Sequence, residues 1–120
     1  MTIAVKRVYD PPAAGDGLRV LVDRLWPRGV RKEDARIGYW AKDLAPSTEL
    51  RKWYGHDPGK WPEFRKRYRK ELDENPEAVA ELMARLSRAG VTLVFGSKET
   101  EWNNAAVLKE YLEERLGGSR

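Results

Sequence analysis

The stretch that decides the fold is "VTLVFGSKETEWNNAAVLKEYLEERL", Val91 to Leu116. It opens with a run of apolar and β-branched residues up to Phe95, which is typical of a strand buried on both faces of a parallel sheet. A Gly-Ser-Lys turn follows the strand. The apolar residues beyond this turn recur at helical spacing: Val107, Leu108, Tyr111 and Leu112. A buried strand that leads into an amphipathic helix is typical of α/β proteins.

Three amphipathic helices are predicted upstream of this strand. One follows Asn75-Pro76, a typical cap and first residue, and is expected to end at Gly90. A second has Pro62 in its first turn. A third begins near Ser47 or Thr48. The apolar stripes of the first two helices are Val79, Leu82, Met83 and Leu86, and Trp61, Phe64, Tyr68 and Leu72.

The N-terminal part of the chain predicts two more strands and a short helix. Residues 3–9 and the apolar run at 20–22 favour strands, and the few residues between them leave the relative direction of these strands open. A short helix is predicted from Lys32 to Leu44. The fold class is therefore α/β, with a small, mainly parallel sheet of about three to four strands and helices packed on its faces.

The composition limits the chain to one small domain. A chain of 120 residues, 41% of them hydrophobic, can bury one modest core. We expect a single α/β domain over residues 1–116 and a flexible C-terminal tail over residues 117–120. Cysteine is absent and His56 is the single histidine. Disulfides, a cysteine nucleophile and a self-contained zinc site are thereby excluded, and we expect no metal and no cofactor.

The same composition bears on location and partners. No apolar run approaches the roughly 20 residues of a membrane span, and the N-terminus lacks the apolar core of a secretory signal. We therefore expect a cytoplasmic protein with no membrane partner. The net charge of +4 favours an anionic partner, although charges of both signs also fit an ordinary solvated surface. The sequence leaves the oligomeric state open.

Candidate ligand-binding residues follow two of the predicted strands. Asp23 and Arg24 come directly after the run at 20–22, and Ser97 and Lys98 come soon after the strand that begins at Val91. If these two strands are parallel and adjacent, their carboxyl ends form the edge at which open α/β sheets bind ligands. Guanidinium and ammonium groups, a hydroxyl and a helix N-terminus all prefer phosphate or carboxylate.

Two further residues complete the predicted binding set. The turn Trp26-Pro27-Arg28-Gly29 stiffens the chain so that Arg28 can point back to the sheet edge, and Asn103 can hold a ligand or cap the last helix. We predict binding of, or action on, a small phosphorylated or carboxylated molecule. The ligand-binding candidates are Arg24, Arg28, Ser97, Lys98 and Asn103.

The candidates for catalytic roles are Asp23 and His56. Asp23 could act as a general base, orient an arginine, or only fix the loop at the end of its strand. His56 lies in "YGHDP" and would form an acid/base pair with Asp23 if the two side chains came within hydrogen-bonding distance. Otherwise it is a loop or capping residue, so the sequence leaves open whether the protein is an enzyme.

Other functional patterns are weaker. "GSKET" lacks the glycine that a phosphate-binding P-loop needs five residues earlier, because Val91 stands there, so a nucleoside triphosphatase is not indicated. The basic helix at 63–72 offers an alternative function in nucleic-acid binding, although its cations also fit a solvated helix face. No other nucleic-acid-binding signature accompanies it. A structural or interaction protein without a ligand is a further alternative.

Three stretches of the chain resemble the small YeaO-like bacterial proteins of the domain-of-unknown-function 488 family. They are "VLVDRLWPRGVRKE", "WAKDLAPSTELRKWYGHDPGKWPEFRKRYRKEL" and "VTLVFGSKETEWNNAAVLKEYL". The resemblance covers nearly the whole chain and implies an uncharacterised cytosolic α/β protein, with no activity assigned. The residues that match the family pattern are Asp23, Arg24, Pro27, Arg28, Lys98, Glu99 and Glu101.

One departure from the family pattern affects the chemistry that the resemblance implies. Relatives often have His-Asn-His or Cys-His-Arg at the start of the final helix, whereas this chain has Trp102, Asn103 and Asn104. Acid/base or metal chemistry that depends on those histidines is therefore not expected here. Asn103 is still available to hold a ligand or to cap the helix.

Overall fold

Four parallel strands form one sheet at the centre of the computed structural model, which describes residues 3–86 and 90–117. The order across the sheet is β1-β4-β2-β3. The strands are β1 (Ile3–Arg7), β2 (Leu18–Leu21), β3 (Tyr39–Trp40) and β4 (Val91–Phe95). The small, parallel α/β sheet predicted from the sequence is confirmed.

The register of β4 with its neighbours brings their carboxyl ends to one edge. Leu21 of β2 pairs with Val94, and the Val22 N–H continues the ladder by donating to the Val94 carbonyl at 3.1 Å. Arg7 of β1 pairs with Phe95. Strands β2 and β4 are thus parallel and adjacent, as their sequences predicted. Because β1 is also parallel to β4, the direction left open between β1 and β2 is parallel.

In the described part of the chain, five α-helices pack around the sheet. Their bounds are α1 (Lys32–Ala35), α2 (Thr48–Tyr54), α3 (Trp61–Asp73), α4 (Pro76–Met83) and α5 (Asn104–Gly117). Ser47 caps α2 as predicted, because its Oγ accepts a hydrogen bond from the Leu50 N–H at 3.1 Å. Asn75 precedes α4, but its side chain donates to the Asp43 carbonyl instead of capping the helix.

The predicted helix from Lys32 to Leu44 is wrong. Only α1, at its start, is helical, and Arg36 ends that helix in a left-handed conformation with φ of 50°. The chain then forms β3, because β2 has a free edge beside it. The Gly38 N–H donates to the Arg19 carbonyl, and the Ala41 N–H donates to the Leu21 carbonyl. A single 3-10 turn closes the segment.

The predicted end of α4 and the predicted C-terminal tail lie partly outside the described residues. Helix α4 ends at Met83, before the predicted stop at Gly90, and residues 87–89 lie outside the described part. Gly117 is the last residue of α5, and the rest of the predicted tail, 118–120, is also outside it. Within the described ranges, no helix combines the length and the apolar character that crossing a membrane requires.

Side chains on both faces of the sheet are buried, and all five residues of β4 are inaccessible to solvent. The larger core packs one face of the sheet against α2, α3, α4 and α5. A smaller core on the other face joins Leu21 and Val94 to Ala35 of α1. This central position explains why four of the five residues of β4 are apolar.

A buried ion cluster joins Lys6 of β1 to Arg19 of β2 through Asp16, which precedes β2. The Asp16 carboxylate accepts hydrogen bonds from Arg19 at 2.8 Å, from Lys6 at 3.1 Å and from the Ala13 N–H at 3.0 Å. Arg19 is 3% exposed, and its Nε donates to the Ala35 carbonyl. Burial acts to raise the pKa of Asp16, but these hydrogen bonds prevail and lower it.

Candidate functional site

A cavity of about 570 Å³ lies at the carboxyl ends of β2 and β4. This volume is within the range of small-molecule sites, about 300–1,000 Å³. The lining residues come from four places: the segment after β2, helix α2 and the residues beside it, helix α3, and the segment that runs from the end of β4 into the start of α5. They are Asp23, Arg24, Leu25, Pro46, Thr48, Arg51, Lys52, Tyr54, His56, Phe64, Ser97, Trp102, Asn103 and Asn104. The cavity is therefore at the sheet edge where the sequence predicted a site.

Asp23 joins three separate segments at the base of this edge. Its Oδ2 accepts the Gly96 N–H at 2.8 Å, and its Oδ1 accepts the Asn104 side-chain amide at 3.2 Å. The same Asn104 nitrogen also donates to the Val22 carbonyl at 2.9 Å. Burial raises the pKa of the Asp23 carboxyl above 3.8, against the opposing effects of Gly96, Asn104 and the Arg51 charge.

Three cationic side chains line the cavity: Arg24, Arg51 and Lys52. Arg24 donates from Nη2 to the Ala45 carbonyl at 3.3 Å, and its Nε is buried without a hydrogen-bond partner. Arg51 and Lys52 are exposed on α2. No salt bridge in the described part of the chain engages any of the three. The cavity thus has an excess of positive charge.

His56 lies in the same cavity as Asp23. The residue is exposed and follows α2 in a left-handed conformation with φ of 58°, directly after Gly55, which has φ of 54°. Histidine adopts this conformation more readily than most residues other than glycine. Among the described residues no hydrogen bond joins His56 to Asp23, whose oxygens accept from Gly96 and Asn104.

Ser97 and Asn103 line the cavity while making hydrogen bonds to the backbone. The Ser97 hydroxyl accepts the Glu99 N–H at 3.0 Å. Asn103 is 4% exposed; its Oδ1 accepts the Ala106 N–H at 2.9 Å, and its Nδ2 donates to the Glu99 carbonyl at 2.9 Å. Asn103 therefore caps α5, which confirms one of its two predicted roles.

Arg28 and Lys98 lie elsewhere. Both residues are exposed, and neither lines the cavity. The Arg28 carbonyl accepts a hydrogen bond from the Tyr9 hydroxyl at 3.0 Å, which holds the turn against the end of β1. The role of Arg28 and Lys98 in ligand binding stays a prediction from the sequence alone.

Helix α2 supplies the residues that sequence reasoning missed. Arg51, Lys52 and Tyr54 face the cavity because the Tyr54 ring stacks on Phe64 of α3, with ring centroids 4.4 Å apart. The sequence feature that could have indicated these residues is the pair of cations, Arg51 and Lys52, on the polar face of a predicted helix that ends just before His56. In isolation, that pair is indistinguishable from an ordinary solvated helix face.

The basic helix α3 uses all three of its arginines in ion pairs. Arg67 pairs with Glu63 of the same helix, and Arg65 and Arg69 pair with Glu110 of α5. The aromatic residues Phe64 and Tyr68 of this helix are buried in the core. This arrangement fits a helix that packs against α5. In the described segments, no group of three or more histidine or acidic side chains could hold a metal ion.

The comparisons with known proteins cover almost the entire chain. A family model described as "Inactive DUF488-N3 subclade" matches residues 2–120. An uncharacterized protein of Mycobacterium tuberculosis (strain ATCC 25618 / H37Rv) is 47% identical over 113 residues, which is 94% of this chain and 95% of that protein. The uncharacterized protein YeaO of Escherichia coli (strain K12) is 41% identical over 112 residues, 93% of this chain and 97% of YeaO. No solved structure matches the chain.

Proposed function

The chain belongs to the family described as the inactive DUF488-N3 subclade, and from this premise we propose that it is a cytoplasmic protein that binds a small phosphorylated or carboxylated molecule without transforming it. The ligand occupies the cavity at the carboxyl ends of β2 and β4. The cysteine-free composition supports the location, and the charge of the cavity supports the ligand class.

The observation that carries this proposal is the excess of cations over carboxylates in the cavity. Arg24, Arg51 and Lys52 line one space, and among the described residues the single acidic side chain that lines it is Asp23, on which the Arg51 charge already acts. The Arg24 Nε is buried without a hydrogen-bond partner, so this guanidinium has donor capacity that the described residues leave unused. A phosphate or carboxylate is the group that matches these donors.

Binding is favoured over catalysis by the hydrogen bonds of Asp23. Both of its oxygens already accept hydrogen bonds from Gly96 and Asn104, so the carboxylate serves to fix the site. The acid/base pair that would favour catalysis is not formed among the described residues, because no hydrogen bond joins His56 to Asp23. The word "inactive" in the family description agrees with this interpretation. The ion-paired arginines of α3 give no specific support to nucleic-acid binding, and we do not propose it.

The first test is binding of inorganic phosphate, methyl phosphate and acetate, followed by isothermal calorimetry and by thermal unfolding. Ionic strength is held constant with sodium chloride, because screening weakens exposed charges. We expect saturable binding of at least one anion to the wild type. Arg51→Gln and Lys52→Gln each remove one cation, and we expect each to weaken that binding by roughly tenfold, the effect of one lost charge-assisted hydrogen bond.

Lys66→Gln is the matched control. Lys66 is an exposed lysine on α3 that does not line the cavity, so the variant has the same change in net charge at a distant position. We expect it to bind as the wild type does. The proposal is overturned if no anion binds, or if all three variants weaken binding equally, since that result would indicate attraction by net charge alone.

A further inference from the structure

The cavity has an apolar side as well as a cationic one. Four large hydrophobic residues are exposed within the described ranges: Tyr9, Leu25, Trp102 and Leu116. Two of them, Leu25 at 66% and Trp102 at 39% exposure, line this cavity. Exposed apolar surface that gathers around a concave site is typical of ligand-binding positions.

Trp102 differs from the other tryptophans in having no partner for its ring. Trp26 and Trp40 donate their indole N–H groups to backbone carbonyls. Trp53 lies under the cations of Lys60 and Arg67, and Trp61 stacks on Phe64. Within residues 3–86 and 90–117, the Trp102 ring makes no comparable hydrogen bond or ring contact.

The backbone of Trp102, in contrast, is held firmly. Its N–H donates to the Glu99 carboxylate at 3.2 Å, and its carbonyl accepts the Tyr54 hydroxyl at 3.4 Å. The residue also directly precedes Asn103, whose side chain caps α5. Because the backbone is held, stacking on the indole has to order only the two side-chain torsions of Trp102.

We propose that the ligand is an aryl phosphate or aryl carboxylate, in which the anionic group is attached to a flat aromatic ring. The inference rests on the proposed anion-binding function. The anion meets Arg24, Arg51 and Lys52, while the ring lies against Trp102 beside Leu25. The cavity volume, about 570 Å³, accommodates both parts of such a molecule. An anion without a ring would leave the Trp102 indole uncovered.

Phenyl phosphate and methyl phosphate separate the two parts of the ligand, because they share the phosphate group and differ in the ring. In calorimetric titrations at constant ionic strength, we expect the wild type to bind phenyl phosphate roughly tenfold more tightly than methyl phosphate. Trp102→Ala should reduce phenyl phosphate affinity to near that of methyl phosphate, and Trp102→Phe should retain most of the preference. Tyr9→Ala removes another exposed aromatic ring, outside the cavity, and should retain all of it.

Nuclear magnetic resonance of the wild type gives a second measurement of ring stacking. It follows the intact Trp102 side chain, so it does not require the cavity to be altered by a substitution. The indole N–H signal that disappears in Trp102→Phe identifies Trp102, and we expect phenyl phosphate to shift this signal more than methyl phosphate does. Equal affinity for the two phosphates, with equal shifts, overturns the aryl ligand while leaving anion binding intact. Failure of both phosphates and of acetate to bind overturns the proposed function as well.

Sedimentation of the same samples tests whether another molecule of this chain covers the ring. A mass that falls from dimer to monomer in Trp102→Ala would mean that a second copy occupies the indole, and it would overturn the aryl ligand. An unchanged mass, together with the loss of the phenyl preference, supports it.

Discussion

Asp23 shows how one side chain can serve both the fold and the site. Its two oxygens connect the end of β2 to the residue after β4 and to the first residue of α5. A carboxylate can accept these two hydrogen bonds because it carries lone pairs on both oxygens. The cost is a partly buried charge at the edge of the sheet.

This buried charge predicts how the free energy of unfolding depends on pH. Because burial raises the pKa of Asp23 in the folded protein, the folded state holds this proton more tightly than the unfolded state does. The contribution of Asp23 to the free energy of unfolding is therefore greatest below pH 3.8 and falls as the pH rises through the raised pKa. Asp23→Asn removes the titration at the cost of one accepted hydrogen bond.

The measurement is urea unfolding of the wild type and Asp23→Asn at a series of pH values. We expect the free energy of unfolding of the wild type, minus that of the variant, to decrease from pH 4 toward neutrality. Taking this difference removes the effects of the other carboxylates. A difference that increases with pH would mean that ion pairing, not burial, dominates at Asp23.

Gly96 is the second residue on which the Asp23 contact depends. A Cβ at this position would lie 3.2 Å from Asp23 Oδ2, and that oxygen is already held by the Gly96 N–H. The carboxylate cannot move away without losing a hydrogen bond. We expect Gly96→Ala to lower the free energy of unfolding by about 1–3 kcal/mol, the usual cost of overpacking.

Gly15→Ala is the control for this substitution, and chemical denaturation of both variants is the measurement. A Cβ at Gly15 would meet nothing within 4 Å, so this variant should be neutral or slightly more stable than the wild type. Equal effects of the two substitutions would contradict the role assigned to Gly96.

At the scale of elements, the helices and the central strand were predictable because their signals are local. The apolar period of α3, the run of β4 and the cap at Ser47 can all be read within about a dozen residues. Strand β3 was not predictable, because two residues carry no period. Its formation depends on the free edge of β2, which is a tertiary effect.

The candidate site also has one side that could be predicted from the sequence and one that could not. The sequence predicted the side formed by Asp23, Arg24 and Ser97, since strand ends in a parallel sheet converge. It did not predict the side formed by α2, because the approach of this helix depends on the stacking of Tyr54 on Phe64. Contacts between segments that are distant in the chain depend on packing, and packing cannot be derived from the pattern of a single sequence.

The ion cluster that joins β1 to β2 gives a prediction at the element scale. Asp16→Ala would leave Arg19, 3% exposed, as a buried cation without its acidic partner. We expect the free energy of unfolding to fall by about 3–5 kcal/mol, the cost of breaking a buried ion pair from one side. Equilibrium unfolding in urea, monitored by circular dichroism, measures this loss.

Asp34→Ala is the comparison for this prediction. It breaks the pair of Asp34 with Arg31, in which both side chains are well exposed. Such pairs contribute about 0–1 kcal/mol, so this variant should stay close to the wild type. If Asp16→Ala proved as mild as Asp34→Ala, the cluster would not hold the two strands together.

For the whole molecule, the ion cluster and the cavity lie in separate places and share no residue. The cluster around Asp16 joins β1 to β2, whereas the cavity opens at the carboxyl ends of β2 and β4 and is lined by Arg24, Arg51 and Lys52. Substitutions in the ion cluster should therefore change the unfolding free energy without changing the residues that contact a ligand.

The central position of β4 also has a consequence for how the chain acquires its structure during translation. Strands β1 and β2 both hydrogen-bond to β4, which is the last strand to be synthesised. Until the ribosome has released residues 91–95, β1 has no neighbour in the sheet, and β2 can pair only with the two residues of β3. The nascent chain can therefore form no more of the described sheet than the short β2–β3 pair until β4 emerges, and only then can Asp23 meet Gly96 and the cavity take shape.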